Sequence, residues 1–432
     1  MVEIQEEQEK KPRCLLIGSP PKKKGVNQEE PYELKDLVST LGMEIAGVMV
    51  LTRIEPTPAY GLGKGKVQEI ADMAKETFAD CIIFDREIDP TKQRNWEKLT
   101  NIPVFDRNEV IIRIFAQRAQ TKEAVLQVDL ARLTYSLPRL SHTYGDLARQ
   151  RGGSYGAKGS GETQLELDRR QIEDKILQIK KELNQIIVNR QVQRKQRERN
   201  AMPSCALVGY TNAGKSSLLN ALTGADVFVE DKLFATLDPT TRKLSLAEGS
   251  FILLTDTVGF ISNLPHTLID AFKSTLEEAA FADLLLITVD ASDSHCKEQY
   301  AQVLSVLEEI KADRVPRLVI LNKCDLIEGN ELAVSELDAA FPDAIKVSAK
   351  SHEGFEKLLE RITERLLGTQ ALFKIPMSQN SLVELARKNG TIIQEEWQED
   401  CIVLNARIPG TIDQNGNAST RTLAMLMKYL VQ

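Results

Sequence analysis

The stretch "GYTNAGKS" at residues 209–216 combines the residue types that cradle a phosphate chain. It fits the template G-x-x-x-x-G-K-[ST] and lies between an apolar run and a helical pattern, the context in which this motif binds a nucleotide. Its glycines let backbone N–H groups point at phosphates. Lys215 neutralises the β- and γ-phosphate oxygens, and the Ser216 hydroxyl ligates Mg²⁺. The loop predicts a nucleotide site but does not identify the base.

The stretch "DTVG" at residues 256–259 follows an apolar run and adds groups for the metal and the terminal phosphate. Asp256 can reach Mg²⁺ through a water molecule, and the N–H of Gly259 can contact the γ-phosphate. In familiar GTPases the next residue is often a glutamine that orients the attacking water. Here it is Phe260. The water must therefore be oriented by something else, and backbone groups, a switch loop and a partner all stay open.

The stretch "NKCD" at residues 322–325 predicts that the base is guanine. Asp325 offers two carboxylate oxygens to the N1–H and 2-amino donors of guanine, a pair that adenine lacks. Asn322 can reach the N7/O6 edge and support the phosphate loop, while the aliphatic stem of Lys323 covers the ring. "SAK" at residues 348–350 then places a backbone N–H near guanine O6. Together these motifs favour GTP over ATP.

A switch loop is expected between the first two motifs, in "VEDKLFATLDPTTRK". A threonine of this loop should close over the Mg²⁺. We select Thr236, with Thr240 and Thr241 as rivals that spacing alone does not exclude. The predicted cofactor is Mg²⁺, held by Ser216 and Thr236, with GTP as substrate and GDP as product.

The predicted catalytic residues are Lys215, Gly259 and Thr236. The predicted nucleotide-binding residues are Gly209, Tyr210, Thr211, Asn212, Ala213, Gly214, Lys215, Ser216, Ser217, Phe234, Ala235, Thr236, Leu237, Asp238, Asp256, Thr257, Val258, Gly259, Asn322, Lys323, Cys324, Asp325, Ser348, Ala349 and Lys350.

Elements of an α/β protein must position these groups. Residues 1–117 alternate β-rich runs with helical patterns around 31–42, 66–79 and 91–100, which predicts a small parallel α/β domain. Residues 201–367 repeat the alternation and predict a doubly wound sheet that carries the GTP site. Residues 368–432 predict a small α+β domain.

Residues 118–200 differ from their surroundings, because leucines and isoleucines recur there at 4-3-4 spacing in two seams. Such spacing predicts two long helices that pair as an antiparallel hairpin. The stretch between them, 142–161, is rich in Gly and basic residues and predicts a flexible tip. We expect Arg149, Arg151 and Lys158 in this tip to bind RNA.

Composition is compatible with packed domains throughout the 432 residues, of which 42% are hydrophobic. Net charge is −7, but residues 141–200 hold 13 Lys/Arg and 8 Asp/Glu, a local +5 that favours one confined polyanion contact. The six cysteines form no C-x-x-C pair, so we expect reduced thiols and no zinc site. The charged start and the short apolar runs predict no signal peptide and no membrane span. We expect a cytoplasmic monomer, with peripheral membrane association left open.

These motifs resemble those of HflX-type GTPases. The resemblance rests on "GYTNAGKS", "LFATLDPTTR", "DTVGFI" followed by "LPH", "NKCD", "GETQLELDRR", "LARLTYSLPRL" and "PTPAYGLGKGKVQE". It covers residues 13 to 367 and implies a GTPase that binds the large ribosomal subunit and acts in ribosome splitting, rescue, recycling or biogenesis. It assigns the Mg²⁺-binding switch threonine to Thr236. Because no water-positioning glutamine follows Gly259 and no arginine finger is identifiable, we expect slow hydrolysis by the free protein and faster hydrolysis with large subunits.

Two other functions stay open from the sequence. One is an ATP-dependent RNA helicase or chaperone acting through the N-terminal domain, with GTP as regulator; ATP turnover by a 1–200 fragment would favour it. The other is a GTP switch for a protein partner. Loss of ribosome co-sedimentation without loss of GTP binding, on deletion of the hairpin tip, would separate the ribosomal function from this one.

Overall fold

The computed structural model describes residues 11–19, 30–51, 57–150, 160–199, 202–225, 232–246, 250–262, 278–408, 410 and 420–431. The chain divides into two compact units. The first comprises Met1–Arg194, Glu230–Asp238 and Asn263–Ser274, and the second comprises Lys195–Val229, Pro239–Ser262 and Thr275–Gln432.

The first unit begins with a four-stranded parallel sheet in the order β2-β1-β3-β4. Its strands are β1 (Arg13–Gly18), β2 (Glu44–Val50), β3 (Cys81–Phe84) and β4 (Val104–Asp106). Its helices are α1 (Tyr32–Thr40), α2 (Lys64–Glu76), α3 (Pro90–Thr100) and α4 (Arg107–Arg118). Fully buried Trp96 packs its ring against Phe84, with centroids 5.4 Å apart, and closes the core between α3 and the sheet.

Local sequence explains where these helices begin. The Asp89 side chain accepts a hydrogen bond from the N–H of Thr91, and Pro90 occupies the first helical position of α3. The Asp106 side chain accepts from the N–H of Glu109 and caps α4 in the same way. Such caps satisfy backbone donors that the helix itself leaves without partners.

The predicted hairpin consists of α5 (Lys122–Gln150) and α6 (Ser160–Arg199). In the predicted seams, Leu130 and Leu183 are buried, and the other described seam residues are half-buried. An ion pair of 3.5 Å between Lys122 and Glu182 links the start of α5 to the second half of α6.

One expectation about the hairpin is wrong. The sequence predicts a tip from residue 142, but α5 continues as a helix to Gln150, and α6 already begins at Ser160. The segment 142–150 contains Leu147, Ala148 and Arg149, which favour a helix even without an apolar period.

Asp106 also fastens α5 to the sheet. Its carboxylate is 1% exposed and accepts hydrogen bonds from Tyr135 Oη at 3.0 Å and from an Arg139 guanidinium nitrogen at 3.3 Å. The same guanidinium lies 3.5 Å from the centroid of the Tyr135 ring. A buried charge of this kind is stable only with such partners. The root of the hairpin is therefore held to the carboxyl end of β4.

The second unit contains a six-stranded sheet in the order β10-β9-β8-β5-β7-β6. Its strands are β5 (Ser204–Gly209), β6 (Thr240–Ser245), β7 (Phe251–Asp256), β8 (Leu284–Asp290), β9 (Arg317–Asn322) and β10 (Ile345–Lys346). The accompanying helices include α7 (Lys215–Thr223), α8 (Cys296–Glu309), α9 (Glu331–Ala340) and α10 (Phe355–Leu367). The strands are parallel except β6, which runs antiparallel to β7. This is the doubly wound α/β fold that the sequence predicted.

The last segment of the second unit is a small α+β arrangement, as expected. Its antiparallel sheet has the order β11-β13-β12. The elements are β11 (Thr369–Pro376), α11 (Asn380–Asn389), β12 (Thr391–Trp397), β13 (Cys401–Ile408) and α12 (Arg421–Leu426). Its core is formed by fully buried residues such as Phe373, Val383 and Ile402.

Within the described part of the chain, no helix combines the length and apolar character needed to cross a membrane.

Candidate nucleotide-binding site

The phosphate loop connects the carboxyl end of β5 to the start of α7, so the N–H groups of the first turn of α7 point toward the loop. Gly214 has φ +87°, and a Cβ added there would lie 2.2 Å from Asn322 Nδ2. No residue with a side chain fits this position without displacing Asn322. The glycine therefore allows the loop to pass close to Asn322 at the end of β9.

Lys215 is buried, at 6% exposure, and its ammonium group is oriented by the loop itself. Nζ donates to the carbonyl oxygens of Gly209 at 3.2 Å and Tyr210 at 2.8 Å. An ammonium group has three donors, so two hold its direction and one is left for a phosphate oxygen. Burial lowers the pKa of Lys215 to about 8, and the nearby Asp256 carboxylate opposes this shift.

Ser216 and Asp256 form the candidate metal site. Ser216 Oγ donates to Asp256 Oδ2 at 2.5 Å, and the Asp256 side chain has no solvent exposure. A hydroxyl and a carboxylate are hard oxygen donors, the class that Mg²⁺ prefers, and Mg²⁺ is commonly held by only one or two protein groups beside phosphates. The donor set therefore fits Mg²⁺.

The "DTVGF" segment is bridged to the phosphate loop through its backbone. The N–H of Phe260 donates to Gly209 O at 3.0 Å, and the N–H of Thr211 donates to Phe260 O at 2.7 Å. Ser262 N–H donates to Tyr210 Oη at 2.6 Å. The Phe260 side chain is 1% exposed, so it serves as core packing at the position where other GTPases carry glutamine.

Gly259 lies at the closest approach of the two segments. A Cβ on it would lie 2.8 Å from Thr211 Cα and 2.9 Å from Lys215 Nζ. The first of these distances is to backbone, which cannot move aside like a flexible side chain. Only glycine brings this N–H next to the ammonium group that is predicted to face the phosphates.

The residues predicted to bind guanine lie together and contact one another. Asn322 Nδ2 donates to Ala213 O at 2.9 Å, and Asn322 Oδ1 accepts from the N–H of Ala349 at 3.1 Å. Ser348 Oγ donates to Asp325 Oδ1 at 2.7 Å. The buried amide of Asn322 thus joins the phosphate loop to the "SAK" loop, and the Ser348 hydroxyl fixes the orientation of the Asp325 carboxylate.

Lys323 completes this end of the site. It has φ +61°, and its Nζ forms an ion pair of 2.6 Å with Asp290 Oδ2 at the end of β8. This ion pair at the tip of the side chain keeps the aliphatic stem of Lys323 extended. The predicted role of the stem, to cover the guanine ring, requires this orientation. The contribution of Asp290 was not predicted from the sequence, because no motif spacing links residue 290 to residue 323.

Residues 230–238 of the predicted switch segment belong to the first unit. Phe234 is 2% exposed, with φ +56°, and packs edge-to-face on Phe115 of α4 with ring centroids 4.6 Å apart. The Asp238 carboxylate accepts hydrogen bonds from the hydroxyl and the N–H of Thr121 at the start of α5. The nucleotide roles assigned to Phe234, Ala235, Thr236, Leu237 and Asp238 stay predictions.

The two rivals of Thr236 lie in a regular strand. Thr240 and Thr241 belong to β6, opposite Asp256 and Thr255 of β7, and the Thr241 hydroxyl is 2.9 Å from that of Thr255. This strand was missed, because "TTRKLS" is mostly polar and only Leu244 in it is buried.

Of the residues predicted to bind RNA, Arg149 lies in the last turn of α5, while Arg151 and Lys158 fall outside the described residues. The six cysteines carry free thiols.

Comparison with known proteins identifies the family. Residues 28–116 match a family model described as GTP-binding GTPase N-terminal, 118–197 match GTP-binding GTPase middle region, and 204–323 match 50S ribosome-binding GTPase. A GTPase HflX from Akkermansia muciniphila is 44% identical over 95% of this chain and 97% of its own length. The GTPase HflX of Escherichia coli is 41% identical over 89% of this chain and 90% of its own. The chain belongs to the HflX family of GTPases.

A GTP-binding protein from Sulfolobus solfataricus, crystallised in complex with GDP, is 26% identical and covers 82% of this chain and 98% of its own, with a TM-score of 0.44. The chain described here, as a member of the HflX family of GTPases, binds GTP and hydrolyses it to GDP and phosphate. Lys215, Gly259 and the Asn322–Asp325–Ser348 group are its candidate means of doing so.

Proposed function

We propose that this GTPase binds the large ribosomal subunit and uses GTP to separate or recycle ribosomes. The observation that carries the proposal is the match of residues 204–323 to the 50S ribosome-binding GTPase model, within a chain that covers nearly the full length of its relatives. The GTP site supplies the switch, and the hairpin supplies a surface for ribosomal RNA.

For hydrolysis, we propose that Mg²⁺ is held by Ser216 and by Thr236 of the switch segment, with Asp256 contacting it through water. Mg²⁺ would neutralise charge on the β- and γ-phosphates. Lys215 adds a buried positive charge beside them, and the Gly259 N–H contacts the γ-phosphate. Phe260 offers no polar side chain there, so we expect slow hydrolysis by the free protein and faster hydrolysis on the subunit.

The dimensions of the hairpin support an RNA contact. The helices α5 and α6 contain 29 and 40 residues, which at ~1.5 Å per residue correspond to roughly 44 and 60 Å. Arg149 lies in the last turn of α5, and Arg151 and Lys158 fall between the two helices in the sequence. Arg169 and Arg170 are less available, because each forms an ion pair within α6, with Glu173 and Glu166. The tip cations are therefore the ones that we assign to ribosomal RNA.

The experiment is sedimentation of the full-length protein with separated ribosomal subunits in the presence of a non-hydrolysable GTP analogue, GDP or no nucleotide. Nucleotide-dependent comigration with the large subunit alone is expected. Equal comigration with both subunits, or none in any nucleotide state, would contradict the proposal.

A second measurement addresses what binding achieves. Light scattering of intact ribosomes after addition of protein and GTP should fall as the subunits separate. If the protein comigrates with large subunits but scattering does not change, a role in subunit biogenesis replaces splitting.

A further inference from the structure

The structure leaves one chemical requirement of the GTPase reaction without an obvious residue. The attacking water must be oriented, but the Phe260 side chain is apolar and 1% exposed. Its backbone N–H and C=O are both engaged, with Gly209 O and the N–H of Thr211. A polar side chain near Gly259 could orient the water in its place.

The polar side chains of the two phosphate-facing segments are mostly committed. Lys215 Nζ is held by two carbonyls, Ser216 Oγ contacts Asp256, and Thr257 Oγ1 donates to Leu207 O at 2.7 Å. Thr211 differs from them. Its side chain is 6% exposed, and its hydroxyl has no hydrogen-bond partner among the described residues. A buried hydroxyl without a partner calls for an explanation, and a catalytic role is one of the recognised ones.

Thr211 lies where such a role can be performed. A Cβ built on Gly259 would lie 2.9 Å from Thr211 Cγ2 and 2.9 Å from Lys215 Nζ. The Thr211 side chain, the Gly259 backbone and the Lys215 ammonium group therefore converge on one point, and the last two are the groups predicted to face the γ-phosphate. The methyl group of Thr211 is the atom turned toward Gly259. Rotation about χ1 by about 120°, from one staggered position to the next, places the hydroxyl where the methyl group now lies and moves the methyl group to the position of the Cβ hydrogen.

We propose that the Thr211 hydroxyl contacts the attacking water and is a catalytic residue of this GTPase. The hydroxyl oxygen accepts a hydrogen bond from the water and directs the water oxygen at the γ-phosphorus. The new bond joins that oxygen to phosphorus, and the bond from phosphorus to the β–γ bridging oxygen breaks, leaving its electron pair on GDP. The proton lost by the water passes to the released phosphate, and Thr211 keeps its own.

The proposal requires the GTPase activity but not the ribosome, so it can be tested on the free protein. We would compare Thr211→Val, which keeps the shape and removes the hydroxyl, with Thr211→Ser, which keeps the hydroxyl. Single-turnover GTP hydrolysis should slow roughly 10- to 100-fold in the valine variant, at the lower end of what loss of one polar group at a reacting centre costs. The serine variant should stay within about threefold of the parent. GDP and GTP-analogue affinities should change little in either, because residue 211 is expected to bind phosphate through its backbone N–H, which both variants keep.

A matched control is available in the same unit. Thr288 on β8 is 1% exposed, and its hydroxyl also has no hydrogen-bond partner among the described residues. Thr288→Val removes a buried hydroxyl from a residue that is not among the predicted catalytic or nucleotide-binding residues, and it should leave the hydrolysis rate within about twofold.

The outcomes are decisive in both directions. Parent-like hydrolysis by Thr211→Val overturns the proposal. So does a loss of GDP affinity that matches the loss of rate, because the hydroxyl would then act on loop structure. If the valine variant does not fold, the rate ratio between Thr211→Ser and Thr211→Ala isolates the hydroxyl, and a ratio near one also overturns the proposal.

Discussion

The Asp325 carboxylate accepts a hydrogen bond from Ser348 Oγ at 2.7 Å, and this contact fixes the orientation of the carboxylate that we predict to bind the base. Asp325→Asn replaces an acceptor by a donor, so the N1–H and 2-amino groups of guanine would lose a partner. Leaving such groups unpaired costs ~1–3 kcal/mol, which corresponds to roughly 5- to 150-fold weaker GTP binding. Xanthosine triphosphate, which presents an acceptor in place of the 2-amino group, should gain affinity.

Fluorescent nucleotide titration would measure both effects. Asp338→Asn is the control, because it makes the same chemical change at an exposed ion pair with Lys346. Parent-like GTP affinity in Asp325→Asn would show that the guanine assignment is wrong.

The lowered pKa of Lys215 predicts that nucleotide binding depends on pH. Burial lowers the pKa of this side chain to about 8 in the free protein. Phosphate binding favours the charged form and so returns the pKa toward its ordinary value near 10.4. Binding then requires proton uptake, and affinity should fall as pH rises through 8.

Calorimetry of GDP binding in buffers of different ionisation enthalpy measures this uptake directly. We expect uptake of a fraction of a proton that grows as the pH is raised from 7.5 to 8.5. Absence of uptake at pH 8.5 would mean that Lys215 is fully charged before the nucleotide binds.

At the scale of elements, apolar patterns predicted the sheets well and polar segments poorly. Strands β5, β7, β8 and β9 are recognisable because both of their faces are buried. Strand β6 was not predicted. It lies at the edge of the sheet and most of its side chains are not buried, so its sequence lacks the apolar pattern of the other strands. The Asp238–Thr121 contact joins residues 117 positions apart. A contact over that distance arises from tertiary packing and leaves no periodic signal in either segment.

The bridge between "DTVGF" and the phosphate loop gives an element-scale prediction. Phe260→Gln would restore the residue found in other GTPases, but here it would bury an amide in the space of a phenyl ring. We expect a loss of about 2–4 kcal/mol in the free energy of unfolding, and no gain in hydrolysis rate. Denaturant unfolding and single-turnover hydrolysis measure the two quantities.

Phe281→Gln is the matched control, because Phe281 is 53% exposed in the same unit and should lose under about 1 kcal/mol. A Phe260→Gln variant that is stable and faster than the parent would show that the pocket accepts a water-orienting amide.

At the scale of the whole molecule, the chain is acidic with a net charge of −7, yet residues 141–200 are net positive. Positive charge concentrated on the hairpin attracts a polyanion electrostatically and so favours association of the protein through this surface. We therefore expect the triple variant Arg149→Ala, Arg151→Ala, Lys158→Ala to bind large subunits more weakly. The slope of log affinity against log salt concentration should become shallower by about 0.7–0.9 for each phosphate that the variant no longer neutralises. Sedimentation across a salt series would measure affinity and slope, with GDP affinity as a check on the GTP site.

The control removes the same charge from another part of the hairpin. Lys175, Lys180 and Lys181 are exposed on α6, away from the tip in sequence. Their triple replacement by Ala lowers net charge by the same amount, so a general electrostatic attraction would weaken equally in both variants. Specific insertion of the tip predicts a clearly larger change for the Arg149, Arg151 and Lys158 variant. If the tip variant keeps both the affinity and the slope of the parent, those three cations face solvent and another surface of the protein meets the ribosome.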